Sequence, residues 1–387
     1  MEKSTFYKEN EKTWYTSLLF KEGPINLSHN KESAMAVLRK VEEKTTKDGK
    51  ITDVNLAYHA MIDGNFAEKI PQNETIKLDN VHYLQCHPVY REGSESTKTR
   101  IVMNASAKTR SGKSLNQTLY QGPNLLPDCT KVLIRFRTNP IAFVMDITKM
   151  FLRIKLHKDK DFLRFVWRDC NRKIPPEIFR MLSVTFGVIS SPFQSIWVVR
   201  KHAEMFEKIY KLAKESIFTN MYVDDIPDGS SDKASARELI NQIYELLLKA
   251  SMLPHKFSSN EKSILEDIPS NLHCPNTQIK VLGLQWDTET DKLLFNFVDK
   301  LEPALNATKR SILSESVKIF DPLGLIAPIT MKAKLIFQRL WLQNQAWDDP
   351  IPNNINNEWQ QWQADVEEIK NLSSNRYFFD KSKGNPI

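Results

Sequence analysis

The stretch that most restricts the fold is "FTNMYVDDIPDG", Phe218 to Gly229, where an apolar run ends in two adjacent carboxylates, Asp224 and Asp225, with Pro227 and Gly229 close behind. Side chains alternate along a strand, so neighbouring aspartates on a straight strand point apart. At a hairpin turn that rule relaxes, and one carboxylate can be presented at the tip. Asp, Pro and Gly also make turns for purely local reasons. A turn is therefore demanded here, whereas a chemical role requires a partner elsewhere.

Asp146 is that partner, because it ends the apolar run "AFVMD" as Asp224 ends another. If the two strands are neighbours in one sheet, their carboxylates converge at its edge. Clustered carboxylates repel and raise at least one pKa unless a cation neutralises them. Hard divalent ions such as Mg²⁺ prefer these oxygen ligands. A pair of such ions about 4 Å apart would activate a 3′-hydroxyl and stabilise a leaving pyrophosphate.

Composition bounds what surrounds such a site. The chain has 387 residues, 41% of them hydrophobic, which suits two or three subdomains sharing a continuous core. No apolar run approaches the roughly 20 residues that span a bilayer. The start, "MEKSTFYKEN", lacks the apolar centre of a signal peptide. Cys86, Cys129, Cys170 and Cys274 form no CxxC pair, so neither a zinc knuckle nor a disulfide framework is supported. The net charge of +7 is compatible with a polyanionic partner. Basic residues gather in "KTRIVMNASAKTRSGK", from Lys98 to Lys113, and interleave with Phe151, Phe162, Phe165 and Trp167 further on. That mixture suits a nucleic-acid surface and equally a solvated strand face over a core.

Periodicity outlines the elements. Asn30 is placed to cap a helix over "KESAMAVLRKVEEKT" with Ala34, Val37, Leu38 and Val41 on one face. A second helix covers "DVNLAYHAMIDGN". β-rich runs follow at "VHYLQCHPVY" and "RIVMNAS", then the loop "YQGPNLLPD", then "KVLIRFR" and the strand "IAFVMDI". A helix after Asp232 turns Leu239, Ile243 and Leu246 inward, a strand appears at "KVLGLQWD", and the end is helical, broken by "DPLG" and "AP". A mixed α/β arrangement with an antiparallel element follows.

These residues also carry a resemblance. "YVDD", Tyr222 to Asp225, resembles the catalytic box of reverse transcriptases, "AFVMDITKMF" their first carboxylate box, and "TFGVISSPF", Thr185 to Phe193, the box between them, in the same order. "RIVMNASAKTRSGKSLNQTL", "KDFLRFVW" and "VKIFDPLGLIAPITMKAKLIFQRLW" are similar to the BEL/Pao group of LTR retrotransposon polyproteins, from about Trp14 to about Trp362.

The resemblance implies an α+β right-hand polymerase with fingers, a palm built on an antiparallel sheet, a thumb and a helical C-terminal extension. Residues 1–80 would be an N-terminal extension and the start of the fingers, 81–145 the fingers leading into the palm, 146–290 the palm, and 291–387 a thumb- or connection-like region ending before a ribonuclease H domain. It implies that Asp146, Asp224 and Asp225, with the carbonyl of Ile147, hold two Mg²⁺ ions, or Mn²⁺. Arg100 would embrace the triphosphate, Phe151 would stack under the sugar, and Phe186, Gly187 and Tyr222 would line the nucleotide site. Lys256 would act as general acid toward pyrophosphate, and "LGLQW", Leu282 to Trp286, would grip the primer. Implied partners are an RNA or DNA primer-template, dNTPs and other polyprotein products such as RNase H and integrase, with no membrane. The setting would be a retrotransposon particle in the cytoplasm, or the nucleus.

Each residue alone has a plainer reading: Gly187 as a turn glycine, Phe151 as core, Arg100 as a strand-edge residue, Lys256 as a solvated lysine. Two positions depart from the family's pattern. Asn104 stands where an Asp is usual, so a salt bridge there is lost or altered. Pro227 follows the catalytic turn where a strand with a donor N–H normally continues. No "DTGA"-like protease box, zinc knuckle or HHCC pattern appears, as expected of a polyprotein fragment. The expected activity is RNA-directed DNA synthesis. The alternatives are an inert or domesticated fragment that binds nucleic acid or acts as a scaffold, and another palm-type nucleotidyltransferase.

Overall fold

The computed structural model describes all residues except 24, 26, 72–73, 75–80, 91–98, 296–306, 370 and 380–387. Lys98 of the basic segment therefore lies outside the described residues. The chain divides into two units: the first holds Met1–Leu125, Ile147–Ile209 and Glu245–Leu253, the second Leu126–Asp146, Tyr210–Tyr244 and Pro254–Ile387. Small sheets and ten α-helices make up the described residues.

In the first unit, the helix Lys31–Lys47 forms as its periodicity predicts, but its details differ. Asn30 does not cap it with its side chain, which is spent on the Tyr83 backbone: Nδ2 donates to the carbonyl and Oδ1 accepts from the N–H, both at 2.8 Å. The buried face is Ala34, Leu38, Glu42 and Thr45, while Val37 and Val41 are only half-buried. Glu42 can be buried because Arg168 forks onto it with two bonds of 2.8 Å. A three-stranded sheet places Glu177–Met181 between Ala67–Lys69 and Arg164–Trp167. Its apolar side is filled by rings, with Tyr58 stacked on Trp167 at 3.8 Å. The hairpin Gln85–Tyr90/Thr99–Asn104 and the helix Ser191–Met205, with a proline in its first turn, complete the unit's main elements.

The second unit is built on the sheet Asp225–Ser230, Ile141–Ile147, Pro254–Ser259, in that order. Pro227 is thereby on an edge strand, where a missing donor is tolerated. "KVLIRFR" is helical: Asp128 caps Cys129–Phe136 by accepting from the Lys131 N–H. In the helix Lys233–Leu248 the buried set is Ala236, Ile240, Ile243, Leu246 and Leu247, with Leu239 half-buried. The "LGLQW" hairpin joins Gln278–Val281 to Leu284–Asp287 through Leu282 and Gly283, both at positive φ, the pattern of a two-residue type I′ turn. Trp286 beneath it meets Phe136 edge-on at 5.0 Å. The helices Lys309–Ser316, Ala327–Leu342 and Asn353–Ile369 pack around stacked Trp359 and Trp362. "DPLG" is a cap: the Asp321 carboxylate accepts from the N–H groups of Leu325 and Ile326 just before the helix Ala327–Leu342.

Candidate active site

The run "IAFVMDI" forms the central strand Ile141–Ile147, with Ala142 to Met145 buried. Consecutive side chains alternate between the two faces of the sheet, so burial of all four means that both faces are covered, while a strand on either side pairs its backbone. Asp225–Ser230 pairs with it antiparallel in a register that sets Asp225 opposite Asp146. Immediately upstream the chain reverses. Tyr222 N–H donates to the Asp225 carbonyl at 2.9 Å and Asp225 N–H to the Tyr222 carbonyl at 3.1 Å, which leaves Val223 and Asp224 as the two turn residues. Val223 has φ +58° while Asp224 does not, the pattern of a II′ turn, which favours glycine at that first position. A β-branched residue there is strained, by about 1–3 kcal/mol. The turn leaves Asp224 exposed at its tip, while Asp225 is half-buried in the sheet.

Charge at this edge is unbalanced. Burial, then the neighbouring Asp224 and Asp146 carboxylates, push Asp225 up to about 7, and Lys256 opposes the shift. Lys256, at φ +55° on the strand Pro254–Ser259, reaches across to Asp146 with Nζ 2.5 Å from Oδ2. Its ammonium is the cation that the carboxylates face. Among the described residues no group of three or more His, Cys, Asp or Glu side chains is arranged to hold a metal ion. The donor set itself, acidic oxygens crowded enough to raise a pKa, is of the kind that a hard divalent cation neutralises.

Tyr222 is half-buried beside the turn, and Ile147, 1% exposed, ends the carboxylate strand. Ile147 opens a segment of the first unit, in which Phe151, Phe186, Gly187 and Arg100 also lie. Phe151 sits half-buried in the 3₁₀ turn Met150–Arg153, its ring 5.0 Å from that of Phe186, which is 41% exposed. Gly187, at φ +89°, lies so close to the strand Thr99–Asn104 that a Cβ would stand 1.7 Å from the Met103 carbonyl oxygen. Only glycine fits. Arg100 is exposed on that same strand, opposite Val89.

Sequence reasoning missed Asn116, which ties the Gly187 loop down. Its Nδ2 donates to the Gly187 carbonyl at 2.9 Å and its Oδ1 accepts from the Ile189 N–H at 2.9 Å. A signal existed: "SLNQ" is a capping box in which Ser114 and Gln117 close on each other's backbone, setting Asn116 on a defined turn. Asn104, where an acid was expected, accepts from the Ser106 N–H at 3.0 Å and holds a tight turn that needs no charge.

Residues 308–387 match the family model of the Pao retrotransposon-like RNaseH-like domain. That match falls on the region read from sequence as thumb- or connection-like. Among solved structures, the chain is similar to the foamy viral protease-reverse transcriptase dRH in complex with double-stranded DNA, with a TM-score of 0.56 and 13% identity over 84% of this chain. The chain spans about half of that protein, 49% of its length. No curated protein matches by sequence. Residues 308–387 are thus similar to a retroelement domain, and the mixed α/β fold of the chain is similar to that of a viral reverse transcriptase fragment.

Proposed function

We propose that the chain is the reverse transcriptase domain of a BEL/Pao-type retrotransposon polyprotein, a right-hand polymerase that extends a primer 3′-OH on an RNA or DNA template. The observation that carries this reading is the register that sets Asp225 opposite Asp146, with Asp224 presented by a strained two-residue turn. Asp146, Asp224, Asp225 and the Ile147 carbonyl would hold Mg²⁺ or Mn²⁺, which when bound supplies charge neutralisation for phosphoryl transfer. Lys256 Nζ, freed from Asp146, would keep a proton beside the departing pyrophosphate. Arg100 would hold the triphosphate through its fork, and the Phe151–Phe186 ring pair would give the sugar an apolar floor. DNA bound to the foamy viral protein supports a primer-template as partner here. The setting in this reading is a retrotransposon particle.

The test is primer extension on poly(rA)/oligo(dT) with Mg²⁺ or Mn²⁺. Wild type should extend the primer, and Asp224→Asn should lose several orders of magnitude in rate while primer-template binding survives, because an amide cannot neutralise the cation. An active chain whose Asn variant turns over normally would refute the role of Asp224. One observation favours the inert alternative: Lys256 already neutralises Asp146. In that case wild type binds nucleic acid and extends nothing with either metal.

A further inference from the structure

The turn that carries Phe151 is flanked by cations that the proposed reaction leaves unused. Phe66 is only 5% exposed, and part of what covers its ring is charge. Lys149 Nζ stands 5.1 Å from the ring centroid, Lys155 Nζ 5.5 Å and the Arg153 guanidinium carbon 5.8 Å. Lys155 also donates to the Asn65 carbonyl. Arg153 Nε is buried with no hydrogen-bond partner.

Among the described residues, a single acid acts on this charge. Burial alone lowers the pKa of Arg153, and Lys155 is lowered by burial, then by Lys160 and Arg153. Glu68, the one acid that acts on Lys155, is engaged by Arg180 at 2.7 Å. Cation–π contact with one ring offsets part of the repulsion among the cations, but three heads share that ring. A folded chain keeps such a cluster at a cost that a bound anion would remove.

We propose that Lys149, Arg153 and Lys155 form a binding site for phosphate groups. The Arg153 fork suits two phosphoryl oxygens, and the lysine ammoniums supply point charges around them. The phosphates belong either to a free nucleotide's polyphosphate chain or to a nucleic-acid backbone. The site uses none of the carboxylates, so it does not depend on the polymerase reading.

The experiment measures binding to the full chain, without divalent metal, of inorganic triphosphate by calorimetry and of a single-stranded oligodeoxynucleotide by fluorescence anisotropy across a salt series. Arg153→Gln and Lys155→Gln should each weaken binding about tenfold and lower the salt slope by about one. Lys262→Gln, at an exposed lysine of the second unit, should change nothing. Loss confined to triphosphate identifies the free-nucleotide source, and loss confined to the oligonucleotide identifies the backbone. Arg153→Lys, which keeps the charge and loses the fork, should bind more weakly than wild type and more tightly than Arg153→Gln, which separates lost charge from lost folding. If folded Arg153→Gln and Lys155→Gln bind both probes as wild type does, the site does not exist. A chain that binds triphosphate through these residues yet extends no primer keeps the site and loses the polymerase reading.

Discussion

Each unit buries an arginine, and the two are treated differently. Arg376 in the second unit is fully buried and uses all five of its N–H donors. Two go to Asp291, at 2.6 and 2.9 Å, and three to the carbonyls of Phe136, Asn139 and Pro140. Asp291 also accepts from Trp286 Nε1 and Asn260 Nδ2, both at 3.0 Å. Arg164 in the first unit, 1% exposed, bonds Asp161 through Nε and Nη2 while its Nη1 is buried with no partner. Arg153 Nε in that unit is also a buried donor without a partner, and His82 Nε2, the acceptor nitrogen because Nδ1–H donates to the Phe162 carbonyl at 3.3 Å, has none either. The second unit closes its polar network around the start of the strand that carries Asp146. Around Arg164 and Arg153 the first unit instead leaves guanidinium donors unmet.

The largest test of that contrast is Arg376→Met. It strands the Asp291 carboxylate among buried groups and should destabilise the second unit by about 3–5 kcal/mol, read by denaturant unfolding. Pairing it with Asp291→Leu should recover much of the loss, since an apolar pair leaves no charge unanswered. A loss below about 1 kcal/mol would show that the network is not closed as described.

Acid should act on the other side of the comparison. His202 is neutral in the fold: Nδ1 accepts from Trp14 Nε1–H at 3.2 Å and Nε2 donates to the Leu246 carbonyl at 2.9 Å. Burial lowers both His202 and His82 from 6.5 to about 4. The unfolded chain therefore takes up these protons first as pH falls. Their contribution is fully present above pH 6.5 and is lost toward pH 4, on the order of 3 kcal/mol for each histidine. Hydrogen exchange at pH 7 and pH 4.5, corrected for intrinsic rates, should show peptides of residues 1–23 and 191–205 losing protection before those of 278–294. Equal loss in both units would break the comparison.

The smallest effect should be Arg164→Met, about 1–2 kcal/mol. Its partner Asp161 is 37% exposed and keeps Arg180 at 3.2 Å, so removing Arg164 strands no buried charge. A loss as large as that of Arg376→Met would mean that the two buried arginines are equivalent.

The carboxylate turn was legible because its causes are local. An apolar run, two acids and a following proline can be read from the order of residues alone, and so can the positive φ that Gly187 requires. "KVLIRFR" was harder, since its β-branched and aromatic residues suit a strand, and the Asp128 cap decided for a helix. Asn30 looked like a cap and became a cross-link to Tyr83, because a neighbouring backbone offered it two bonds rather than one. Asn104 and Pro227 looked like defects, yet one holds a turn and the other lies on an edge strand.

By itself the sequence determined where the chain turns, which runs are apolar enough to be buried, and that two strands end in acid. These follow from short-range sterics and from hydrophobic period. Only the tertiary structure decided that Lys256 faces Asp146, that Glu42 is buried against Arg168, and that Arg376 closes on Asp291. Each is a pairing of charges far apart in the chain. Coulomb attraction and desolvation depend on distance and burial in space, and the order of residues does not contain either.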